Sequence, residues 1–244
     1  MDLEKARKLL QVRAASLEEL LEICDAIYFW DEIINGPHPI LTSGLHSNAY
    51  VNLSIPLSFP NLCRIFARRS VVELTKQISH IKRTVDIVVS PTFGAEPFGQ
   101  PLATQLGARF IYTEKIEGVQ RITERFGGIS DGAKILIAED TYSTGKTTRE
   151  VIEAVSSANP RVEFIKDEKG RIIIAAIFQW LGQAKLLREE PELKVIPLIQ
   201  KDLRTWRPEA EVCPLCKKRS EPLRPKEENN WLKFVAAQLS APPR

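Results

Sequence analysis

Two adjacent carboxylates, Glu139 and Asp140, precede a run of hydroxyls: Thr141, Tyr142, Ser143, Thr144 and Thr147, with Gly145 and Lys146 set among them. An ionised carboxylate only accepts hydrogen bonds, so the pair suits the two hydroxyls of a ribose. It could also favour positive charge developing on that sugar, or hold a divalent metal through water. A helix that starts after Gly145 would present N–H groups without intrahelical partners at the positive end of its dipole, and these attract a phosphate. Thr144 and Thr147 add hydroxyl donors, and Gly145 lets the backbone come close. The stretch reads as a phosphate site beside a sugar-diol site.

The elements that position these groups follow from the flanking pattern. Lys134 to Ala138 is a short apolar run suited to a buried strand, and Val151, Ile152 and Val155 mark a helix leaving the loop. Gly145-Lys146-Thr147 is not the end of a nucleotide P-loop, because that motif needs a glycine where Asp140 stands. A second strand–turn–helix precedes the first. Asp86 to Ser90 is a short buried strand, Pro91 to Pro97 a turn with Thr92, Phe93 and Gly94, and a helix through Leu102, Ala103 and Leu106 stops at Gly107. The same reasoning makes that turn an anion site. Arg109 to Tyr112 is the next strand, ending in Thr113-Glu114-Lys115. From Ile116 to Gly132 the chain has four glycines, Arg121, Arg125 and few large apolar residues. Such a segment suits either a basic lid that closes on an anionic substrate or a plain exposed hairpin.

The rest of the chain frames this region. At 244 residues and 43% hydrophobic, it can bury a full core. A net charge of +3 is too mild to point to nucleic acid. Met1 to Leu10 is charged and reads as a helix, so no signal peptide is expected, and the longest apolar run, Ile172 to Trp180, is far short of a membrane span. A cytoplasmic protein with neither nucleic-acid nor membrane partners is expected. Leucines spaced from Leu3 to Leu21, with Cys24, Ile27 and Tyr28, predict one or two helices between Asp2 and about Ile34, with Ser16 as an N-cap. Tyr28, Phe29 and Trp30 would pack that arm on the body or on a second subunit. Ile40 to Val51 alternates around Ser43-Gly44 and predicts a small β hood. Asn61 to His80 reads as an amphipathic helix, Arg161 to Phe178 as a hairpin-like pair, Leu193 to Ile199 as an edge strand and Asn229 to Leu239 as a terminal helix. Cys213-Pro214-Leu215-Cys216 is half of a zinc site, and no second pair or nearby histidine completes it in the sequence. No metal is expected there unless two tails pair across a dimer.

Strands alternating with helices predict an α/β fold with a mostly parallel sheet flanked by helices and sites at the strand C-terminal ends. A helical arm over residues 1–34, a domain over 35–204 with its hood at 36–58, and a Cys-containing extension over 205–244 complete the expected organisation.

The string Glu139-Asp140-x-x-Ser143-Thr144-Gly145-Lys146-Thr147 resembles the ribose-5-phosphate loop of type I phosphoribosyltransferases. The pattern Leu41-Thr42-Ser43-Gly44-x-His46-Ser47-x-x-Tyr50 is similar to the hood of the orotate phosphoribosyltransferases among them. The resemblance spans roughly residues 20 to 225. It implies transfer of ribose 5-phosphate from phosphoribosyl diphosphate to orotate, with Mg2+ present, in a homodimer that serves pyrimidine nucleotide synthesis. On it, residues 139–147, Thr92, Phe93, Gly94 and Lys115 bind phosphoribosyl diphosphate, and Ser43, Gly44 and Ser143 contact the base. Asp140, Lys115 and Arg125 are the implied catalytic residues. Hypoxanthine-type relatives carry Asp where Ser143 stands, so Ser143 favours a pyrimidine. Two departures stand out: Thr42 replaces a frequent Lys, and Gln179-Trp180 replaces the Asp-Arg whose Arg holds the base carboxylate. Transfer to another base, or a silent regulator that binds phosphoribosyl diphosphate, are the alternatives.

Overall fold

The computed structural model describes residues 16–30, 36–41, 43–181, 191–209, 212–227 and 229–240. In chain order the elements are α1 (Leu17–Ile23), β1 (Ile27–Phe29), β2 (His38–Pro39), β3 (His46–Ser47), β4 (Ala49–Val51), α2 (Ser54–Leu57), α3 (Pro60–Gln77) and α4 (Ile81–Thr84). Next come β5 (Ile87–Ser90), α5 (Glu96–Leu106), β6 (Arg109–Tyr112), β7 (Glu114–Ile116), β8 (Val119–Arg121) and a 3-10 turn (Glu124–Phe126). They continue with β9 (Lys134–Tyr142), α6 (Lys146–Ala158), β10 (Glu163–Phe164), β11 (Ile172–Leu181) and β12 (Leu193–Asp202). The chain closes with β13 (Thr205–Trp206), α7 (Pro214–Lys217), β14 (Pro222–Leu223) and α8 (Asn230–Leu239).

The chain divides into two compact units, residues 56–201 and residues 1–55 with 202–244. The hood was expected within the domain over 35–204, and the arm and C-terminal extension as separate segments; the described residues of the arm and extension group with the hood up to Ile55.

Unit 56–201 is built on a sheet of order β12-β11-β9-β5-β6, with β10 joining β9. The pairs β5/β6, β5/β9, β9/β11 and β9/β10 are all parallel. Successive side chains on a strand point to opposite faces, which sorts the two sides. Val89, Ile135, Ile137 and Ile174 meet Val151 and Val155 of α6 in one apolar cluster. The alternate residues Val88, Leu136 and Ala138 are equally buried, and α5 packs against β5 and β9 while α3 packs against α5 and β11. Because both faces are covered, these strands read as continuous apolar runs. Truncating Ile137 to Ala would cost about 2–5 kcal/mol through lost burial and a residual cavity.

Several expectations are met. Helices cover Pro60–Gln77 and Asn230–Leu239, β12 takes an edge, and Gly107 ends α5 with φ +72°. Ser16 caps α1 with a full capping box, its Oγ accepting from Glu19 N while Glu19 accepts from Ser16 N.

Other expectations are corrected. Residues 27–29 are a strand: the β-forming Ile27-Tyr28-Phe29 pairs antiparallel with Ala49–Val51 once α1 has ended. What is expected of residues 1–15, of residues 31–34 and of Thr42 falls outside the described residues. The hairpin expected from Arg161 to Phe178 reduces to one antiparallel bridge, Lys166 to Ile172, because β10 pairs with β9 instead.

Among its described residues, unit 1–55 with 202–244 contains three two-stranded sheets, β1/β4, β3/β13 and β2/β14. Gly44, at φ +83°, turns the hood between Leu41 and Leu45, whose backbone groups pair at 2.8 Å. Tyr28, Trp30 and Phe234, with Leu215, form its apolar core, with Tyr28 and Phe234 edge to face at 4.7 Å. Among the described residues, no helix is long and apolar enough to cross a membrane.

Candidate functional site

Strand β9 runs further than the sequence suggests. Instead of ending at Ala138 it continues to Tyr142, because the backbone of residues 139–142 keeps pairing with β11: Glu139 opposes Ala176, Thr141 opposes Phe178 and Tyr142 opposes Gln179. The two carboxylates therefore sit on a strand and do not stand side by side. Glu139 is buried against α6, where Thr148 donates its hydroxyl to Glu139 Oε1 at 2.8 Å. Asp140 lies on the other side, against the turn that follows β5. A Cβ added at Gly94 would lie 2.6 Å from Asp140 Oδ2. The acidic end of β9 thus meets the turn that follows β5, beyond the C-terminal end of that adjacent parallel strand, where open α/β sheets bind ligands. The peptide between Thr92 and Phe93 in the first turn is cis, and the Phe93 ring is 86% exposed.

Electrostatics separates the acidic pair as well. Burial, with the charge on Asp140 second, raises the Glu139 carboxyl to about 8, and the Thr148 hydroxyl partly opposes this. Glu139 is accordingly protonated at neutral pH, while Asp140 Oδ1 accepts from Thr141 N at 2.7 Å. Ser143 and Thr144 form the bend, and Gly145 starts α6 at φ +72°. That conformation favours glycine. Arg149 N closes the first helical bond to Gly145 O at 2.9 Å, leaving the first-turn N–H groups of α6 at the mouth of the bend. Thr144 Oγ1 is 3.4 Å from Lys146 N, and Lys146 and Thr147 are exposed. Tyr142, expected in the phosphate site, places its ring in the apolar cluster under α6 instead.

Lys115 is exposed on the β7/β8 hairpin, paired in register with Gln120. The segment predicted as a lid or plain hairpin is a hairpin that packs on α6, with its turn at Glu117-Gly118 in positive φ. Arg125 is committed at the base of this segment: its Nη1 is 2.8 Å from Glu114 Oε1 and 3.3 Å from Tyr112 Oη. Burial first, and the neighbouring Glu114 second, raise the Glu96 carboxyl at the start of α5. Ser43 and Gly44 belong to the other unit and form the hood turn.

Sequence reasoning missed two groups. Thr148 occupies the buried stripe of α6 that continues through Val151 and Val155, and a hydroxyl on an apolar stripe is the signal that could have flagged it. The second is a tetrad in unit 1–55 with 202–244. His38 and His46 join Cys213 and Cys216, with their donor atoms all within 4.8 Å of one another. The expectation that no histidine completes the Cys pair is thereby corrected. The histidines are far away in sequence and reach it because β2 pairs with β14 and β3 with β13.

The chain matches the phosphoribosyl transferase domain over residues 67–207. It is 29% identical to an orotate phosphoribosyltransferase of Caldanaerobacter subterraneus subsp. tengcongensis over 179 residues, 72% of this chain and 88% of that one. Two solved structures share its fold. UMP synthase of Leishmania donovani aligns with TM-score 0.55 and 20% identity, over 77% of this chain but 36% of that larger one. Orotate phosphoribosyltransferase of Aeropyrum pernix aligns with TM-score 0.53 and 16% identity, over 75% and 92% of the two chains. With more than half of its length fitting that domain on the parallel sheet it requires, this chain belongs to the phosphoribosyltransferase family of pentosyl-transferring enzymes.

Proposed function

We infer that the chain transfers ribose 5-phosphate from phosphoribosyl diphosphate to a ring nitrogen of orotate, releasing pyrophosphate. The observation that supports this reading is the close approach of Asp140 to Gly94, which puts a carboxylate suited to the ribose hydroxyls against the turn that follows β5. The bend from Ser143 to Thr147 and the N-terminus of α6 hold the 5-phosphate. Asp140 accepts from the ribose hydroxyls and opposes the positive charge that builds on the sugar as the diphosphate departs. Glu139, fixed by Thr148, underpins the strand end and supplies a second acceptor once ionised. The turn at Thr92, Phe93 and Gly94 receives the diphosphate, and Lys115 neutralises it. Arg125, through Glu114, steadies the hairpin that carries Lys115. The oxygen donors here are hard and suit Mg2+, which Asp140 would reach through water and which supplies charge neutralisation to the diphosphate. Ser43 and Gly44 are proposed base contacts on the strength of the sequence pattern Leu41 to Tyr50.

One observation favours a second base. Where orotate-type members carry an Arg for the carboxylate, Trp180 is buried against Phe178 with ring centroids 4.6 Å apart, and Gln179 accepts from Gln200. A base without a carboxylate would need no cation there.

The test is pyrophosphate release from phosphoribosyl diphosphate with a panel of bases, with Mg2+ and with EDTA. Turnover with orotate alone supports the first reading, and turnover with a different base replaces it with the second. Binding of phosphoribosyl diphosphate without turnover on any base would leave a silent binding protein.

A further inference from the structure

The four donor atoms of the His38, His46, Cys213 and Cys216 tetrad converge on one point. His38 Nε2 is 3.0 Å from His46 Nδ1, 3.8 Å from Cys213 Sγ and 3.6 Å from Cys216 Sγ. His46 Nδ1 is 3.3 Å from Cys216 Sγ. A tetrahedral ion with Zn–S arms of about 2.3 Å and Zn–N arms of about 2.0–2.1 Å sets its ligands about 3.3–3.8 Å apart. Three of these four separations fall in that range and the His–His edge is slightly shorter, while all four donor atoms lie within 4.8 Å of one another. Both cysteines are free thiols rather than a disulfide.

The surrounding hydrogen bonds fix which nitrogen faces the sulfurs. Ser220 Oγ is 2.7 Å from Gly36 O, which can only accept, so the single hydroxyl proton goes there. The oxygen must then accept from its other two neighbours, Trp30 Nε1 at 3.0 Å and His38 Nδ1 at 2.9 Å. His38 therefore carries its proton on Nδ1, and Nε2 turns a lone pair toward the thiols. Metal-binding histidines have this arrangement, with the distal N–H held by an outer acceptor.

Placement sets the class of site. His38 and Cys213 are fully buried and His46 nearly so, and four protein donors leave no open position. Such closed Cys2His2 sets hold structural rather than catalytic ions, and tetrahedral mixed S/N coordination selects zinc. The ligands come from β2, from β3 and from the Cys213–Cys216 turn, each in a different part of a unit whose sheets are only two-stranded. Sheets of that size are marginal alone and need a tie.

We propose that His38 Nε2, His46 Nδ1 and the thiolates of Cys213 and Cys216 bind one Zn2+ that holds this unit together, with Ser220 as the residue that positions His38. Binding releases the two thiol protons to solvent.

Metal analysis of the full-length chain, purified without an affinity tag under reducing conditions, should find about one zinc per chain. Replacing it with Co2+ should give tetrahedral d–d absorption and a thiolate-to-cobalt charge-transfer band. Cys216→Ser and His46→Gln should abolish that spectrum, and Ser220→Ala should weaken Co2+ binding by about 10–100-fold. The proposal is overturned if added Zn2+ does not bind stoichiometrically, if Co2+ is octahedral, or if Cys213 and Cys216 are recovered as a disulfide. Should the variants fail to fold, zinc-edge X-ray absorption of the unaltered protein decides: two sulfur and two nitrogen neighbours support the site, and any other set overturns it.

Discussion

The two units solve the problem of holding side chains in place by different means. In residues 56–201, position comes from the backbone: β9 runs beside β5 and on past its end, and strand alternation sends Glu139 to one side and Asp140 to the other. Among the described residues of 1–55 with 202–244, no sheet exceeds two strands, and position comes from side chains that converge on a small aromatic core and a His/Cys tetrad. Damage in the first should therefore appear as lost chemistry on an intact fold. Damage in the second should appear as lost stability.

The sharpest way to break that contrast is Gly94→Ala. The new methyl would overlap Asp140, and misplacing a reacting group by about 1 Å costs on the order of a hundredfold in rate. We expect kcat/KM for phosphoribosyl diphosphate to fall about a hundredfold with the melting temperature little changed. A wild-type rate in that variant would show that Asp140 and the turn that follows β5 do not act together.

Glu139→Gln probes stability within the same unit. Below about pH 4.5 the carboxyl holds its proton in folded and unfolded chains alike. As pH rises toward about 8 the unfolded chain ionises while the folded chain stays protonated, so stability falls across that window and levels off above it. The loss is on the order of a few kcal/mol. In the Gln variant, urea midpoints measured from pH 5 to 9 without substrate or Mg2+ should lose this slope, and parallel profiles for the two proteins would refute the burial argument.

In the other unit, Ser220→Ala leaves the buried His38 Nδ1 without its acceptor, while Trp30 Nε1 keeps Gly36 O at 3.0 Å. A buried orphan costs about 1–3 kcal/mol, so the melting temperature should drop. The smallest effect is expected from Arg125→Ala. Its pair with Glu114 is more than half exposed on the Arg side and contributes at most about 1 kcal/mol to stability. Activity should fall less than with Lys115→Ala; equal losses would give Arg125 a direct part in the chemistry.

How much of this was legible in the sequence follows the same division. The bend at Ser143 to Thr147 and the turn at Thr92 to Gly94 are local, since each lies between a strand and the helix it feeds, and consecutive residues report both. The extension of β9 to Tyr142 was not legible, because it depends on pairing with β11, 37 residues on. The core position of Tyr142 and the pairing of Arg125 with Glu114 were hidden for the same reason: both depend on tertiary neighbours. The histidines of the tetrad were less visible still. Nothing beside His38 or His46 announces a ligand, and each reaches the cysteines only through pairing with a strand from the far end of the chain.

Trp30 shares Gly36 O and Ser220 Oγ with the network that orients His38, and Lys218 Nζ stands 5.0 Å from the centre of its ring. The indole is thus a built-in optical gauge. With the other three of the chain's four tryptophans replaced by phenylalanine, its emission should shift whenever that corner of the chain loosens, so the integrity of a region far from the reacting sugar in sequence can be followed in a cuvette without attaching a dye.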